Sequence, residues 1–289
     1  MLSMLYQFFD SFSFLVLSAM GLAIIFGMMG IINLAHGEFM MMGAYITTLM
    51  ATAGVPLPIS ILCAMAGVGI WGFILDRLIM KHLYERTLDS VVATYGISMI
   101  MQQGTQLIFG SALAGVSTPF SSIVVGSDKF SIYRILLFII SLALLILVFL
   151  FFNKTTFGLH ARATMQKEDI AASLGINSNR MYAFTFAIGS ALAGLAGGLY
   201  APTMTISPTF GDNFMMQSFV TVIVGGTNPL AGTLLSGGLL GAVNSFVAAY
   251  FGTFMGRISL LIVAILFIRI CSSGFSGLLE KVKMRRRSV

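Results

Sequence analysis

The residues best suited to chemistry in this chain fall into two short stretches. The first reads Asn33-Leu34-Ala35-His36-Gly37-Glu38, which sets an amide, an imidazole and a carboxylate between two strongly apolar runs. A charge at membrane depth is costly and by default marks a solute pathway or an internal ion pair. Such a patch suits the lining of a translocation cavity or its cytoplasmic gate. A local reading stays open beside it: Asn33 closes one helix, and Glu38 sits in the first turn of the next, where the macrodipole favours an anion. The second stretch runs from Asn153 to Arg180 and is the longest hydrophilic segment. Between Gly158 and Gly175 it reads LHARATMQKEDIAASL, with no helix breaker. The spacing predicts one helix, with Arg162, Gln166, Asp169 and Ser173 on a polar stripe and Ala163, Ile170, Ala171 and Leu174 on a modest apolar one. That apolar stripe is too weak to anchor a membrane span. It suits a short helix seated in the groove of a partner protein, or a solvated loop helix.

Enzymatic chemistry finds little footing elsewhere. No G-x-x-x-x-G-K-[ST] loop occurs, so the chain does not hydrolyse ATP by that route. His36, His82 and His160 are far apart, and no H-E-x-x-H or C-x-x-C pair exists, so no metal site is expected. Cys63 and Cys271 both lie in apolar runs and read as inert core thiols. No serine is marked as a nucleophile by a neighbouring base.

The elements that must position these stretches are set by composition. Of 289 residues, 57% are hydrophobic and 9% charged, with a mean hydropathy of +0.97. Soluble domains carry about 25% charged residues, so an ordinary cytosolic globule is excluded. A disordered chain is excluded too, because it cannot be this apolar. A membrane-crossing helix needs about 20 apolar residues. Apolar runs lie near 12–32, 38–53, 58–80, 91–110, 132–152, 181–201, 213–226, 230–251 and 256–271. The expected fold is therefore all-α, a polytopic transmembrane helix bundle of about eight or nine spans. The 213–226 run is short enough to be re-entrant or broken. Residues 1–289 read as a single transmembrane domain, with a cytoplasmic loop at 153–180 and a short basic tail at 280–289.

The net charge of +6 reflects orientation rather than nucleic-acid binding. One side collects Arg77, Lys81, Arg86, Lys154, Arg162, Lys167, Arg180, Arg269, Lys281, Lys283 and Arg285 to Arg287; the other keeps Lys129, Arg134 and Arg257. Thirteen against three predicts the N-terminus outside and the C-terminus in the cytoplasm. The Arg285 to Arg287 run is placed to meet anionic headgroups. Gly194-x-x-x-Gly198, Gly237-x-x-x-Gly241 and Gly252-x-x-x-Gly256 predict close helix contacts.

Several stretches carry a family resemblance. Gly30-Ile31-Ile32-Asn33-Leu34-Ala35-His36-Gly37-Glu38-Phe39-Met40 through Gly43-Ala44-Tyr45 resembles the N-terminal signature of the branched-chain amino acid ABC permeases, a family that also includes urea and short-amide permeases. The likeness continues in Val92-Ala93-Thr94-Tyr95-Gly96-Ile97-Ser98 and in Thr156-Phe157-Gly158-Leu159-His160-Ala161-Arg162-Ala163. It extends through Ala171 to Asn177 and Ala193 to Gly198, so it covers most of the chain. In such importers the cytoplasmic loop carries E-A-A-x-x-x-G. Here Asp169 stands six residues before Gly175, Ala171 keeps the third position and Ile170 replaces the first alanine. The resemblance thus implies a coupling helix in which Arg162, Glu168, Asp169, Ala171 and Gly175 face an ATPase. The family's G-G-x-G-[ST] run is matched here by Gly225 and Gly226 but not by Asn228 and Pro229. Pro229 lacks an amide N–H and restricts Asn228, so the gate geometry there is expected to differ.

What the resemblance implies is a permease of the ABC importer type in the bacterial cytoplasmic membrane, moving branched-chain or hydrophobic amino acids by alternating access. It implies a second homologous permease, two cytoplasmic ATP-binding subunits that hold ATP and Mg, and an extracytoplasmic solute-binding protein. This chain itself binds no cofactor and catalyses no reaction on that reading. Asn33, His36, Glu38, Thr94, Tyr95, Gly225 and Gly226 are the candidates for the substrate pathway. Urea or a short amide is the alternative substrate, consistent with the scarcity of intramembrane charge. A stand-alone ion-coupled transporter or channel is the rival from another class. It should carry several acidic or histidine side chains within spans, and only Glu38 and Asp76 come near.

Overall fold

The apolar runs become helices in a computed structural model that describes residues 2–84, 86–125, 128–226, 229–271 and 274–277. In chain order these are α1 (Leu2–Met29), α2 (His36–Thr52), α3 (Leu57–Leu78), α4 (Thr87–Phe109), α5 (Ile132–Lys154), α6 (Thr156–Gln166), α7 (Glu168–Ser173), α8 (Ser178–Tyr200), α9 (Asp212–Gly225), α10 (Pro229–Phe251) and α11 (Thr253–Ile270). Between α4 and α5 lies a small antiparallel hairpin, β1 (Ser122–Val125) and β2 (Asp128–Ser131), with Ser122 opposite Ser131. The all-α expectation holds apart from this hairpin. Thr227, Asn228 and the basic tail, with Lys281, Lys283 and Arg285 to Arg287, fall outside the described residues.

Six helices, α1, α3, α5, α8, α10 and α11, are long and apolar enough to cross a membrane. The protein is a multi-pass membrane protein. The three other expected spans fall short for separate reasons. With 17 and 14 residues, α2 and α9 are shorter than the roughly 20 residues that a bilayer core demands. With 23 residues α4 is long enough, but Asp89, Gln102, Gln103, Gln106 and its hydroxyl side chains dilute its apolarity.

The chain divides into two compact units. One comprises residues 20–117 and 147–216. Its centre is α8, whose small residues let neighbouring backbones approach closely. A Cβ on Gly197 would overlap the Met40 carbonyl oxygen of α2, and one on Gly43 would overlap the Gly194 carbonyl oxygen. Against α3, a Cβ on Gly194 would stand 2.6 Å from the Val68 Cβ. The Phe39 and Phe186 rings meet edge-on at 5.9 Å. Close backbone contact is how helices associate where lipid removes the hydrophobic drive between them.

The other unit comprises residues 1–19, 118–146 and 217–289. Here the Gly237-x-x-x-Gly241 pair receives α1: a Cβ on Gly237 would lie 2.7 Å from Val16 Cγ2, and one on Gly241 would lie 3.2 Å from the Phe12 nitrogen. Leu15, Val224, Leu240, Leu260 and Ala264 form its buried core. Arg134 pairs with Asp10, Phe9 stacks on Phe138, and the Asn244 amide donates to the Ser11 hydroxyl at 2.9 Å. The third glycine pair differs from expectation. Gly256 packs on Asn244 and Ala248, whereas Gly252 is the break between α10 and α11, with φ +86°. A helix contact needs both glycines within a helix, and Gly252 instead supplies a turn that L side chains adopt reluctantly.

Cys63 also corrects its expectation: it is exposed on α3 rather than buried, and Cys271 is half-buried. Its neighbours Ile59, Leu62 and Ile70 are exposed as well. A wholly apolar helix surface is at home in lipid, so apolar sequence does not by itself mean core.

Candidate functional site

The polar stretch after α1 is a non-helical bridge buried inside the larger unit. Gly30, at φ +66°, ends α1, and the chain stays irregular until His36. Asn33 is fully buried, and its side-chain oxygen accepts the Ala35 N–H at 3.0 Å, a turn that leads into α2, so the helix end expected at Asn33 is made by Gly30 instead. His36, the first residue of α2, is equally buried. Its ring lies against α1 so closely that a Cβ on Gly21 would come within 3.2 Å of His36 Cε1.

Polar groups of α4 meet this bridge. The Leu34 N–H donates to the Thr94 hydroxyl at 3.1 Å, and that hydroxyl lies 2.7 Å from the Ser90 carbonyl and 3.4 Å from that of Ile32. One turn further on, the Ser98 hydroxyl donates to Glu38, itself only 4% exposed. A turn beyond that, the Gln102 amide donates to Asp212 of α9 at 3.3 Å. Behind them Gly37 and Gly211 touch backbone to backbone. Buried polar groups are tolerated when each is hydrogen-bonded. Thr94 and Ser98 serve the buried bridge and Glu38, whereas the Gln102–Asp212 bond is exposed; the three lie on a single helical face, repeating every fourth residue.

The structure thus brings Asn33, His36, Glu38 and Thr94 into one unit, with Thr94 bonded to the bridge and Glu38 beside it on the same polar row. Tyr95 points elsewhere: it is 56% exposed on the other side of α4. Gly225 and Gly226 belong to the other unit. There Gly225 packs on Gly232 and its carbonyl accepts the Ser276 hydroxyl at 2.9 Å, while Gly226 has φ +82°. Ser98, Gln102 and Asp212 went unnoticed in the sequence, although polar residues at every fourth position of an apolar run were a readable sign. An apolar cavity of about 440 Å³ also borders α4, walled by Met41, Tyr45, Trp71, Met101, Ile108 and Phe109 among others.

The segment from Asn153 to Arg180 departs from the single expected helix. Lys167 is extended, with φ −154° and ψ 97°, and separates α6 from α7. At the break the Lys167 N–H still bonds to the Ala163 carbonyl at 3.1 Å, and α7 begins with no side-chain cap. Thr155 accepts the Gly158 N–H to start α6, while the adjacent acids Glu168 and Asp169 occupy the first turn of α7. The polar stripe is split accordingly. Arg162 stays on α6 and donates to Asn153, whereas Asp169 and Ser173 fall on α7, where the Ser173 hydroxyl donates to the Asp169 carbonyl at 2.9 Å; beside them Glu168 accepts the Tyr182 hydroxyl at 3.0 Å. The apolar stripe splits too: Ala171 is buried, but Ile170 is 57% and Leu174 76% exposed.

Gly175 closes α7 in a Schellman turn. Its φ is +85°, its N–H bonds to Ala172 O at 2.9 Å, and the Ile176 N–H bonds to Ala171 O at 3.0 Å. Gly175→Ala is therefore expected to cost about 1 kcal/mol and to lower the melting temperature of the detergent-solubilised protein by about 2–4 °C. Gly104→Ala, at a helical position with open space around it, is the control and should leave it unchanged or raise it slightly, because alanine is the better helix former. Among the described residues no three His, Cys, Asp or Glu side chains gather where they could hold a metal.

Comparison with known proteins gives the family. Residues 4–271 match the family described as the permease component of the branched-chain amino acid transport system. The high-affinity branched-chain amino acid transport system permease protein BraD of Pseudomonas aeruginosa is 30% identical over 253 residues, covering 82% of each chain. The corresponding permease protein LivH of Escherichia coli K12 is 26% identical over 93% of this chain and 92% of its own. A probable branched-chain amino acid transport permease protein from Methanocaldococcus jannaschii is 30% identical over 91% of this chain and 88% of its own. No solved structure matches.

Proposed function

Because the chain belongs to the permease-component family of branched-chain amino acid transport systems, we propose that it forms the membrane pathway of an ATP-driven importer for branched-chain amino acids. The family match along residues 4–271 is the observation that carries this reading. The membrane is the bacterial cytoplasmic one, with the N-terminus outside, the orientation that the thirteen-to-three asymmetry of basic residues favours when α2, α4 and α9 cross as well. A second permease of the same family completes the pathway, two ATP-binding subunits dock from the cytoplasm, and a solute-binding protein delivers substrate from outside.

The transport step breaks no covalent bond in this chain. Asn33, His36 and Glu38 line the polar part of the pathway, and Thr94, Ser98 and Gln102 hold that wall in register. A Met-lined apolar surface suits an aliphatic side chain. Ile170 and Leu174 of α7 enter a groove of the ATP-binding subunit, with Arg162, Glu168, Asp169, Ala171 and Gly175 shaping the element that presents them. Closure of those subunits then pulls α6 and α7. The pull drives transport only because the closed subunits bind one membrane conformation better than the other.

Affinity purification of the tagged chain in mild detergent, followed by reconstitution, tests this. Stoichiometric ATP-binding subunits, and leucine uptake that requires ATP, are expected. A chain that purifies alone and moves leucine without ATP would establish a stand-alone transporter instead.

A further inference from the structure

Within the larger unit, a buried carboxylate at the membrane end of α3 is connected to the first residue of α7 through two tyrosines. Asp76, two residues before the end of α3, is fully buried and accepts the Tyr84 hydroxyl at 2.6 Å. The Tyr84 ring meets the Tyr182 ring edge-on, with centroids 4.8 Å apart and planes at 62°. The Tyr182 hydroxyl then donates to Glu168 Oε2 at 3.0 Å. Asp76, Tyr84, Tyr182 and Glu168 come from three helices and a turn, and no two of them lie within seven residues of each other in sequence.

We propose that Tyr84 and Tyr182 form a two-ring strut that positions α7 against the ends of α3 and α8, so that displacement of α7 by an ATP-binding subunit is passed to the membrane helices. The proposal rests on the reading of α7 as the coupling element. Three physical points support it. A carboxylate buried at the end of a span is costly unless bonded and locally charge-balanced. Tyr84 supplies that bond at Oδ1, and Arg77 and Lys81 supply nearby positive charge, while Oδ2 is buried without a hydrogen-bond partner, so the Tyr84 bond is what holds this end. Aromatic pairs prefer the edge-to-face geometry seen here and are stiff, having only two side-chain torsions each. The outer end is held by a charge-assisted hydrogen bond, the stronger class. It falls on the first residue of a six-residue helix that the extended Lys167 has severed from α6. The chain itself joins α7 to α8 only through the Gly175 turn, and the strut adds a side-chain route that bypasses that turn. Burial, and after it the hydrogen bond to Asp76, push the Tyr84 hydroxyl well above the ordinary phenol range, so it remains a donor at all physiological pH.

The test uses the complete importer in proteoliposomes and measures leucine molecules moved per ATP hydrolysed. Tyr182→Phe and Tyr84→Phe each delete one hydroxyl and leave the rings in place. Each variant is expected to retain its ATP-binding subunits and basal hydrolysis while the transport-to-hydrolysis ratio falls about fivefold. The double variant should fall little further, because either break interrupts the same strut. Glu168→Gln, which keeps an acceptor for Tyr182, should hold the ratio near wild type, and Glu168→Ala should not. A merely structural role would lower yield or melting temperature and leave the ratio intact. Wild-type ratios in both phenylalanine variants, with ATP-binding subunits still bound, would overturn the strut alone. A wild-type chain that binds no ATP-binding subunit would overturn the coupling reading, and the strut's role with it.

Discussion

Gly197→Leu is expected to abolish the folded protein: tagged chain extracted in mild detergent should elute as aggregate or be degraded before extraction. The cause is local and steric. The first atom of any side chain at Gly197 overlaps the Met40 carbonyl oxygen and lies 2.6 Å from its carbon. These are backbone atoms of a packed helix, so no rotamer change relieves the overlap, and α2 and α8 must separate. Overpacking a well-filled interior typically costs about 1–3 kcal/mol. A four-carbon side chain against backbone belongs at or above the top of that range, a large share of a stability of about 5–15 kcal/mol. Gly197→Ala already introduces the clashing atom, so it should show a reduced yield and a lower melting temperature. Gly238→Leu, where a Cβ would have open space, should behave as wild type. Size-exclusion profiles of the three variants decide the matter. Normal monodisperse Gly197→Leu protein would show that α2 and α8 do not meet at this point.

The second large effect is expected at α7. Ile170→Asp combined with Leu174→Asp should remove the ATP-binding subunits from the purified complex and reduce ATP-dependent leucine uptake at least tenfold, while the permease keeps its melting temperature. Both side chains are exposed in this chain, so the change costs the isolated permease little. Burying each against a partner would contribute about 1.5–3 kcal/mol, and losing one such contact is about a tenfold change in affinity. Ala171, by contrast, is buried. Ala171→Asp should therefore damage folding before it damages docking. Retention of stoichiometric ATP-binding subunits by the double aspartate variant would move the docking surface away from α7.

Much of this was legible in the sequence because lipid imposes a simple rule on composition. The six long apolar helices follow directly from runs of the required length, and Glu38 in the first turn of α2 follows from local chemistry. Features that depend on tertiary contact were not legible. Lys167 carries no mark of a breaker, and the contact that holds the start of α7 is tertiary, the Tyr182 hydroxyl reaching Glu168. The hairpin at 122–131 was readable in principle, because its strands are joined by the two-residue Gly126-Ser127 signal, but the chain was read for helices. Cys63 sits in an apolar run that gives no sign of which face meets the bilayer. Ser98 and Gln102 were readable in principle, since Thr94, Ser98 and Gln102 repeat at helical spacing. Their partners Glu38 and Asp212, however, lie 60 and 110 residues away in the chain.

The glycine contacts between α2 and α8 also bear on entropy and motion. Where backbone meets backbone, no rotamers are frozen when the contact forms, so the joint avoids the side-chain entropy loss that a leucine interface carries. Cα–H groups facing carbonyl oxygens at this range add weak attraction of their own. With no flexible side chains between them to take up a shift, the two helices behave as a single lever. In any cycle of conformational change α2 and α8 travel together, and the hinge must lie at the breaks in the backbone, Gly30 before α2 and Gly175 before α8.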